Sequence, residues 1–269
     1  MSNHSLQNIV DKPLDRRKFV TRTGATGLGI AAMTMLGGSL GKLHAATSTI
    51  SDADIVNFAL NLEYLEAEFY SVASYGTTLV ERGIIPSSAV EAPTTGGHRV
   101  PNFANSEVAF VASALRDDEA DHVIFLRKAL GSAAVQKPAI NLDALGFGFG
   151  NVGEFLMLAR IFEDVGVSAY LGAAPLIQNK TYLDAAARIL ATEAQHAGAI
   201  RTFAVVKGVP SKAVDALDIP PDPHHLFDVD QSALSIPRST SQVLKIVYGG
   251  GTSSGGFFPN GLNGTIKSA

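Results

Sequence analysis

The 269-residue chain contains no cysteine. Disulfide bonds and thiolate metal sites are therefore excluded, so any metal ion must be held by oxygen atoms and imidazole rings. Basic residues are not in excess either, because 21 Lys and Arg stand against 25 Asp and Glu. This balance implies no nucleic-acid partner. Hydrophobic residues make up 46% of the chain, which is enough for one substantial core and argues against disorder.

An uninterrupted hydrophobic run is also missing from the start of the chain. Six glycines lie between Gly24 and Gly41, in a mildly apolar stretch that follows the basic residues Arg16 and Arg17 and ends in alanines. This is the layout of a cleaved export signal, and the paired arginines resemble the twin-arginine signals of bacteria, which export folded proteins. A membrane anchor is the alternative, since about 18 apolar residues can span a bilayer, although the glycines argue against it.

We predict that residues 1–46 are a twin-arginine export signal and that the mature protein is periplasmic or extracellular, without a membrane span. The rest of the chain carries 15 basic and 23 acidic side chains, so it too implies no nucleic-acid partner. Export in the folded state would allow a metal ion to be loaded in the cytoplasm beforehand.

Four long segments have the hydrophobic periodicity of helices. The first runs from Ser51 to Gly76 and begins with Ser51 and Asp54 in the spacing of a capping box. Its apolar residues recur every three or four positions, as in a helix that packs in a bundle. The other three are expected at about residues 106–131, 151–174 and 181–208. Because each is on the order of 35 Å long, the four predict an all-α four-helix bundle.

The connections complete the predicted organisation. Residues 76–105 are rich in Gly, Pro, Ser and Thr and are expected to form a long loop, whereas residues 131–150 are expected to cross the bundle between helices two and three. A short helix is expected around residues 239–249, and Phe257 and Phe258 are expected to hold the glycine-rich tail against the bundle. We therefore divide the chain into the export signal, a bundle at residues 47–208 and a C-terminal extension at residues 209–269.

Two predicted helices carry the same polar motif on what should be an apolar face. The sequence Glu-x-x-His occurs as Glu119 to His122 on the second helix and as Glu193 to His196 on the fourth, 74 positions later. Residues three apart on a helix lie on the same side, so each pair can bind one object together. A single motif of this kind is usually a solvated pair, but its repetition favours a common site.

The first and third helices carry a second repeated motif. Glu63 is followed seven residues later by Tyr70, and Glu163 seven residues later by Tyr170, at an offset of 100. The chain therefore has the pattern of two similar helical hairpins, each with Glu-x6-Tyr followed by Glu-x-x-His.

A charge argument connects the two motifs. Four carboxylates gathered in an apolar interior would repel one another, and ionised groups are costly to bury without partners. Two divalent cations would balance the four negative charges, and carboxylates can bridge two ions. Ligands without sulfur suit iron or manganese, with zinc as an alternative. We predict two metal ions bound by Glu63, Glu119, His122, Glu163, Glu193 and His196.

The order Glu, Glu-x-x-His, Glu, Glu-x-x-His on four successive helices resembles the ferritin-like superfamily over residues 51–208. The export signal, the sequence ALNLEYLEAEFY at residues 59–70, the long first loop and the glycine-rich end are similar to exported ferritin-like proteins grouped with desiccation-related proteins. The resemblance implies a ferritin-like fold and a di-iron or di-manganese centre. It also implies that Tyr70 and Tyr170 are hydrogen-bond partners of the ligands or redox-active neighbours.

The chain departs from bacterioferritin in two respects. The step from Glu63 to Glu119 is lengthened by the first loop, and about 60 further residues follow the fourth helix. A storage cage of the ferritin kind is therefore not expected, although assembly into a smaller oligomer is compatible with the sequence.

Several neighbours of the predicted ligands leave alternatives open. Glu66 is an additional or alternative ligand, because it lies nearer the middle of the apolar stripe than Glu63, although the repeat aligns it with Gly166. Glu68 is expected on the solvated side of the helix. Asp118 either holds the second ring nitrogen of His196, as in some related di-iron proteins, or is exposed.

The remaining candidates are interpreted mainly as structural. Arg201 either neutralises charge near the site or lies at the surface. Tyr64 is expected to pack in the core. Three histidines after the export signal lie outside the two motifs and are expected at the surface rather than in a second metal site, namely His98, His224 and His225.

Two classes of function follow from these expectations. The first is an oxidoreductase that reacts with dioxygen or peroxide, as a ferroxidase or a catalase does. The second is a stress or desiccation-related scaffold in which the metal is structural or absent.

Overall fold

The structure is a computed structural model that describes residues 50–269, which belong to one unit. The predicted export signal at residues 1–46 lies outside the described residues. Five α-helices occur in the described part of the chain: α1 Asp52–Tyr75, α2 Ala109–Leu130, α3 Val152–Ala173, α4 Lys180–Val206 and α5 Thr240–Val247. Two short strands, β1 Thr94–Thr95 and β2 Ile140–Asn141, pair in parallel. Within residues 50–269, every helix is too short or too polar to cross a membrane.

The helix boundaries follow from local capping. The Ser51 side chain accepts from the Asp54 backbone N–H, and the Asp54 carboxylate accepts from the Ser51 N–H at 2.8 Å, as the predicted capping box requires. Gly76 ends α1 with a positive φ of 74°, a conformation that favours glycine. Helix α2 begins three residues later than predicted, after Val108, which has no side chain able to cap it.

Side-chain contacts show which helices run antiparallel. Tyr75 near the end of α1 lies against Arg116 near the start of α2, whereas Tyr64 earlier in α1 bonds Arg127 later in α2. Tyr70 of α1 bonds Glu163 of α3, and Glu63 bonds Tyr170, so α1 also runs antiparallel to α3. Helices α2 and α3 therefore point the same way, and residues 131–151 must cross the bundle between them, which confirms the predicted crossover.

The C-terminal extension packs on the bundle. Phe257 is 2% exposed and lies edge-on to Phe162 of α3, with ring centroids 5.0 Å apart. Phe258 is fully buried, and the buried face of α5 is formed by Val243, Leu244 and Val247. Further along, the Asn61 side chain and the backbone of Asn263 exchange two hydrogen bonds. The tail is thus part of the core.

A buried ionic network joins the extension to α3 and α4. Arg160 Nη1 donates to both carboxylate oxygens of Asp218, at 2.8 and 2.7 Å. Arg201 Nη1 donates to Asp164 at 2.7 Å, and its other nitrogens donate to the carbonyls of Leu226 and Ile219. Arg201 is 1% exposed, so of its two alternatives the surface position is wrong. Its charge stabilises the packing of the extension, because a buried charge is tolerated when it is paired and hydrogen-bonded.

Glu68 is also placed differently from the expectation. The side chain is fully buried because the first loop and the crossover cover that side of α1. Its carboxylate accepts from the Leu79 N–H at 3.2 Å and lies 3.9 Å from Lys137 Nζ. Tyr64 is buried as expected, but its hydroxyl also donates to the Val135 carbonyl, so it fixes the crossover as well as packing.

Candidate metal centre

The six predicted ligands come together in the middle of the bundle. Their ligand atoms form two groups, and within each group all atoms lie within 4.8 Å of one another. The first group is Glu63, Glu119, His122 and Glu193, and the second is Glu119, Glu163, Glu193 and His196.

Glu119 and Glu193 belong to both groups. They therefore lie where carboxylates that bridge two ions would lie. Each remaining pair belongs to one group only: Glu63 with His122, and Glu163 with His196. The arrangement is pseudo-symmetric because each helical hairpin contributes one shared glutamate, one unshared glutamate and one histidine.

Several atoms at the centre have the geometry of cation ligands. His196 Nδ1 lies 2.8 Å from Glu119 Oε1, yet both atoms are buried without a hydrogen-bond partner among the described residues. The same holds for Glu163 Oε2 and for both carboxylate oxygens of Glu193. Buried polar atoms are normally hydrogen-bonded, so a positive charge is expected between these atoms: a proton on His196 Nδ1 in the metal-free chain, or a metal ion. The donor set of oxygens and imidazole nitrogens fits iron, manganese or zinc.

Burial makes the cluster electrostatically costly without a cation. Glu119, Glu163 and Glu193 are fully buried, and Glu63 is 1% exposed. Burial and the charge of Glu119 raise the pKa of Glu193 well above its usual range, although its contact with His122 opposes this shift. Burial alone would lower the pKa of His196, but the carboxylates of Glu119 and Glu163 outweigh it and raise this pKa to about 12. In the absence of metal, the site therefore retains protons.

The two tyrosines bond reciprocally to the unshared glutamates. The Tyr70 hydroxyl on α1 donates to Glu163 Oε1 on α3, and the Tyr170 hydroxyl on α3 donates to Glu63 Oε1 on α1. Burial and the adjacent carboxylate raise the pKa of each phenol well above its usual range, so both remain protonated donors. Each tyrosine thus fixes one carboxylate oxygen and leaves the other oxygen directed at the centre.

Glu66 is a fifth carboxylate beside the cluster. It is 4% exposed, and burial together with the charges of Glu193 and Glu119 raises its pKa well above the usual range. Its oxygens nevertheless lie outside both four-residue groups. Glu66 faces Gly166, since a Cβ atom built on this glycine would lie 3.2 Å from Glu66 Oε1. At these aligned positions the first hairpin thus has a long side chain, Glu66, and the second has a glycine.

Gly166 also makes room for Glu193, one of the two shared glutamates. The sequence did not lead us to predict this role of Gly166. A Cβ atom there would lie 2.7 Å from Glu193 Oε2, which is closer than real contacts allow. An alignment of the two hairpins is the signal that could have identified it, because a glycine in mid-helix is unfavourable unless packing requires it.

We expect Gly166→Ala to weaken metal binding without unfolding the chain. The added methyl group would displace the flexible end of Glu193 from the centre, whereas alanine favours the helix by about 0.5–1 kcal/mol. The matched control is Gly198→Ala on α4, where an added Cβ meets no atom within 4 Å among the described residues. Calorimetric metal titration and urea denaturation of both variants measure the two effects. Unchanged metal affinity in Gly166→Ala would contradict the assigned position of Glu193.

The remaining candidates divide clearly. Asp118 Oδ2 lies 3.0 Å from His196 Nε2, and the Asp118 side chain is also 52% exposed. Asp118 therefore both bonds His196 and lies at the surface. Among residues 50–269, the histidines outside the two motifs are exposed, as expected: His98, His224 and His225.

Comparisons with known proteins match the same part of the chain. The sequence profile of a family described as "Ferritin-like domain" matches residues 51–205, which is more than half of the chain and covers α1 to α4. The chain is also 25% identical over 170 residues to "Desiccation-related protein PCC13-62" of Craterostigma plantagineum. That alignment covers 57% of this chain and 53% of the relative, so the chain spans about half the length of this curated protein.

Proposed function

Since the chain belongs to the ferritin-like domain family, we propose that its bundle binds two iron or manganese ions, bridged by Glu119 and Glu193, and that the centre reacts with dioxygen or peroxide. The observation that carries the proposal is the pair of overlapping ligand groups, in which four buried carboxylates and two histidines converge and five buried side-chain atoms have no hydrogen-bond partner among the described residues. Oxygen and imidazole ligands suit these two metals. When bound, a pair of such ions supplies the redox capacity for dioxygen or peroxide chemistry.

The protein's own residues would position the reaction. Tyr70 and Tyr170 hold the unshared carboxylates of Glu163 and Glu63. Asp118 fixes the ring of His196. Helices α1 to α4 exclude water from the centre, where Glu119 and Glu193 are fully buried. Such a dry and preorganised environment strengthens the electrostatic interactions of the site.

An apolar cavity supports a small apolar substrate. It lies between the four helices, has Tyr170 and Leu62 in its wall, and has a volume of about 20 Å³. That space is close to what one water molecule needs, but apolar walls offer no hydrogen bonds to water. Dioxygen has the size and polarity to enter this cavity, next to the tyrosine that bonds Glu63.

The second class considered from the sequence, a stress or desiccation-related scaffold in which the metal is structural or absent, is not favoured, and its metal-free form is opposed by the same observations. Four buried carboxylates without sufficient donors destabilise a metal-free bundle, and nothing about a scaffold requires them. The sequence of residues 1–46 supports the further proposal that the chain works in the periplasm or outside the cell.

Metal content and reactivity test the proposal. The full chain, recovered from its export compartment, is expected to contain about two iron or manganese ions per chain, measured by mass spectrometry of the digested protein. The reduced, loaded chain is expected to consume dioxygen or peroxide in an oxygen electrode, whereas a zinc-loaded control is inert because zinc has no redox chemistry. Stoichiometric zinc in the recovered protein, or no binding of iron and manganese on reconstitution, would oppose the proposal.

A further inference from the structure

The pseudo-symmetry of the centre is broken at one position. The offset of 74 that aligns His122 with His196 also aligns Asp118 with Thr192. Asp118 Oδ2 lies 3.0 Å from His196 Nε2. The Thr192 hydroxyl instead donates to the Arg188 carbonyl in the preceding turn of its own helix, at 3.3 Å.

The two histidines consequently differ in their surroundings. His196 directs Nδ1 at the carboxylates of the centre. When a metal ion occupies Nδ1, the remaining ring proton must lie on Nε2, where Asp118 accepts it. His122 also directs Nδ1 at the centre, but none of the residues 50–269 accepts a hydrogen bond from its Nε2. The His122 side chain is also more exposed, at 12% against 6% for His196.

A carboxylate on the far nitrogen of a ligating histidine fixes the ring and its tautomer and makes the ligating nitrogen more basic. Loss of such a partner typically lowers metal affinity 10- to 100-fold. One position of this centre has that partner, and the other does not.

We propose that the two metal positions are not equivalent. The position formed by Glu163 and His196 holds a resident divalent ion, whereas the position formed by Glu63 and His122 exchanges its ion with solvent. This inference rests on the proposed function, because it assumes that the centre binds two divalent cations. Asp118 acts through His196 and is therefore a positioning residue.

Stepwise binding of Mn²⁺ to the metal-free full chain tests this inference. Calorimetry is expected to resolve a tighter and a weaker step. At one equivalent, electron paramagnetic resonance is expected to show isolated Mn²⁺ ions, with the signal of coupled pairs only at two equivalents. Equivalent positions that fill together would give coupled pairs from the start, and that result would overturn the inference.

Two substitutions with opposite expected effects on affinity show which metal position each binding step belongs to. Asp118→Asn is expected to weaken the tighter step about 10- to 100-fold, whereas Thr192→Asp is expected to tighten the weaker step by supplying the missing partner to His122. If a carboxylate at this position had only a structural role, Thr192→Asp would not increase the affinity of the weaker step. Asp121→Asn is the matched control, because Asp121 is an exposed acidic residue on the same helix, away from both ring nitrogens.

The outcomes separate this inference from the proposed function. A wild-type chain that binds neither Mn²⁺ nor Fe²⁺ defeats the proposed function. A chain that binds two ions but keeps both affinities in Asp118→Asn defeats only the inequivalence. Equal weakening of both steps in Asp118→Asn also defeats it, since that result indicates a general disturbance of the site.

Discussion

Glu193→Gln is expected to abolish the binding of both metal ions. Glu193 is shared by the two ligand groups, and both of its carboxylate oxygens are buried without a hydrogen-bond donor among the described residues. Glutamine preserves the size of the side chain but removes one negative charge and one anionic ligand. Because a bridging carboxylate contributes to both positions, its loss affects the pair of ions together. Equilibrium dialysis against Mn²⁺ or Fe²⁺, followed by metal analysis, measures the result.

Glu163→Gln is the matched control for Glu193→Gln. Glu163 is equally buried but belongs only to the group that contains His196, so this variant is expected to retain one ion. Glu193→Gln is also expected to stabilise the metal-free fold near neutral pH, since glutamine is buried without first having to take up the proton that Glu193 needs. Loss of only one ion from Glu193→Gln, or loss of both from Glu163→Gln, would contradict the assignment of shared and unshared ligands.

The fold was predictable from the sequence because its determinants are local or periodic. The capping residues Ser51 and Asp54, and Gly76 at the end of α1, fix a helix within one or two residues. The crossover was predicted from the length and composition of the segment between helices two and three. The start of α2 was less accurate because Val108 carries no capping side chain, and hydrophobic periodicity alone does not define a boundary.

Burial of charged residues could not be predicted in the same way. Glu68 and Arg201 lie on faces of their helices that appear polar, and both are buried because the loop at residues 76–108 and the C-terminal extension cover them. The partners that make this burial tolerable are distant in sequence: Lys137 for Glu68, and Asp164 with two backbone carbonyls for Arg201. A periodicity argument considers one helix at a time and has no information about such covering segments.

The ligand positions were predictable because the internal repeat doubled a weak signal. The finer features of the site depend on differences between the two halves instead. Glu66 of α1 faces Gly166 of α3. Asp118 of α2 bonds His196 of α4, whereas the counterpart of Asp118 in the other half of the repeat is Thr192. The sequence aligned Glu66 with Gly166 and offered the Asp118–His196 contact as one of two alternatives, but only the packing of α1 on α3 and of α2 on α4 shows how these residues contact the site.

The metal-free chain is expected to lose stability as the pH rises from about 5 to about 8. Burial and neighbouring charges raise the pKa of Glu66 and Glu193 well above the usual range, and burial raises that of Glu119. A group with a raised pKa binds its proton more tightly in the folded state. Its stabilisation is complete below the pKa of the unfolded chain, about 4.3 for glutamate, and is lost as the pH rises through the folded pKa.

The histidines act in the same direction at higher pH. Although burial opposes it, the neighbouring carboxylates raise the pKa of His196 from 6.5 to about 12 and that of His122 even further. Their stabilisation is present below about pH 6.5 and declines above it. Glu63 has the opposite sign: burial opposes the shift, but the charge of His122 lowers its pKa, so its stabilisation is lost in acid. Within the metal centre, five groups therefore favour a loss of stability with rising pH and one opposes it. Asp164 outside the centre acts in the same direction as the five, because burial raises its pKa to about 7.

Bound metal is expected to reverse this dependence. Metal ions compete with protons for carboxylates and imidazoles, so affinity rises as the ligands lose their protons, and binding to the folded state stabilises it. Urea denaturation at several pH values, with a chelator and with excess Mn²⁺, compares the two forms. Each group that titrates only in the unfolded chain contributes a slope of about 1.4 kcal/mol per pH unit.

The variant Glu66→Gln separates the contribution of the fifth carboxylate. Because Glu66 lies outside both ligand groups, this substitution is expected to reduce the pH dependence of the metal-free chain while two Mn²⁺ ions still bind. A metal-free chain whose stability rises over the same pH range would mean that the carboxylates are solvated or paired with other donors. The physical reason for placing two cations among them would then disappear.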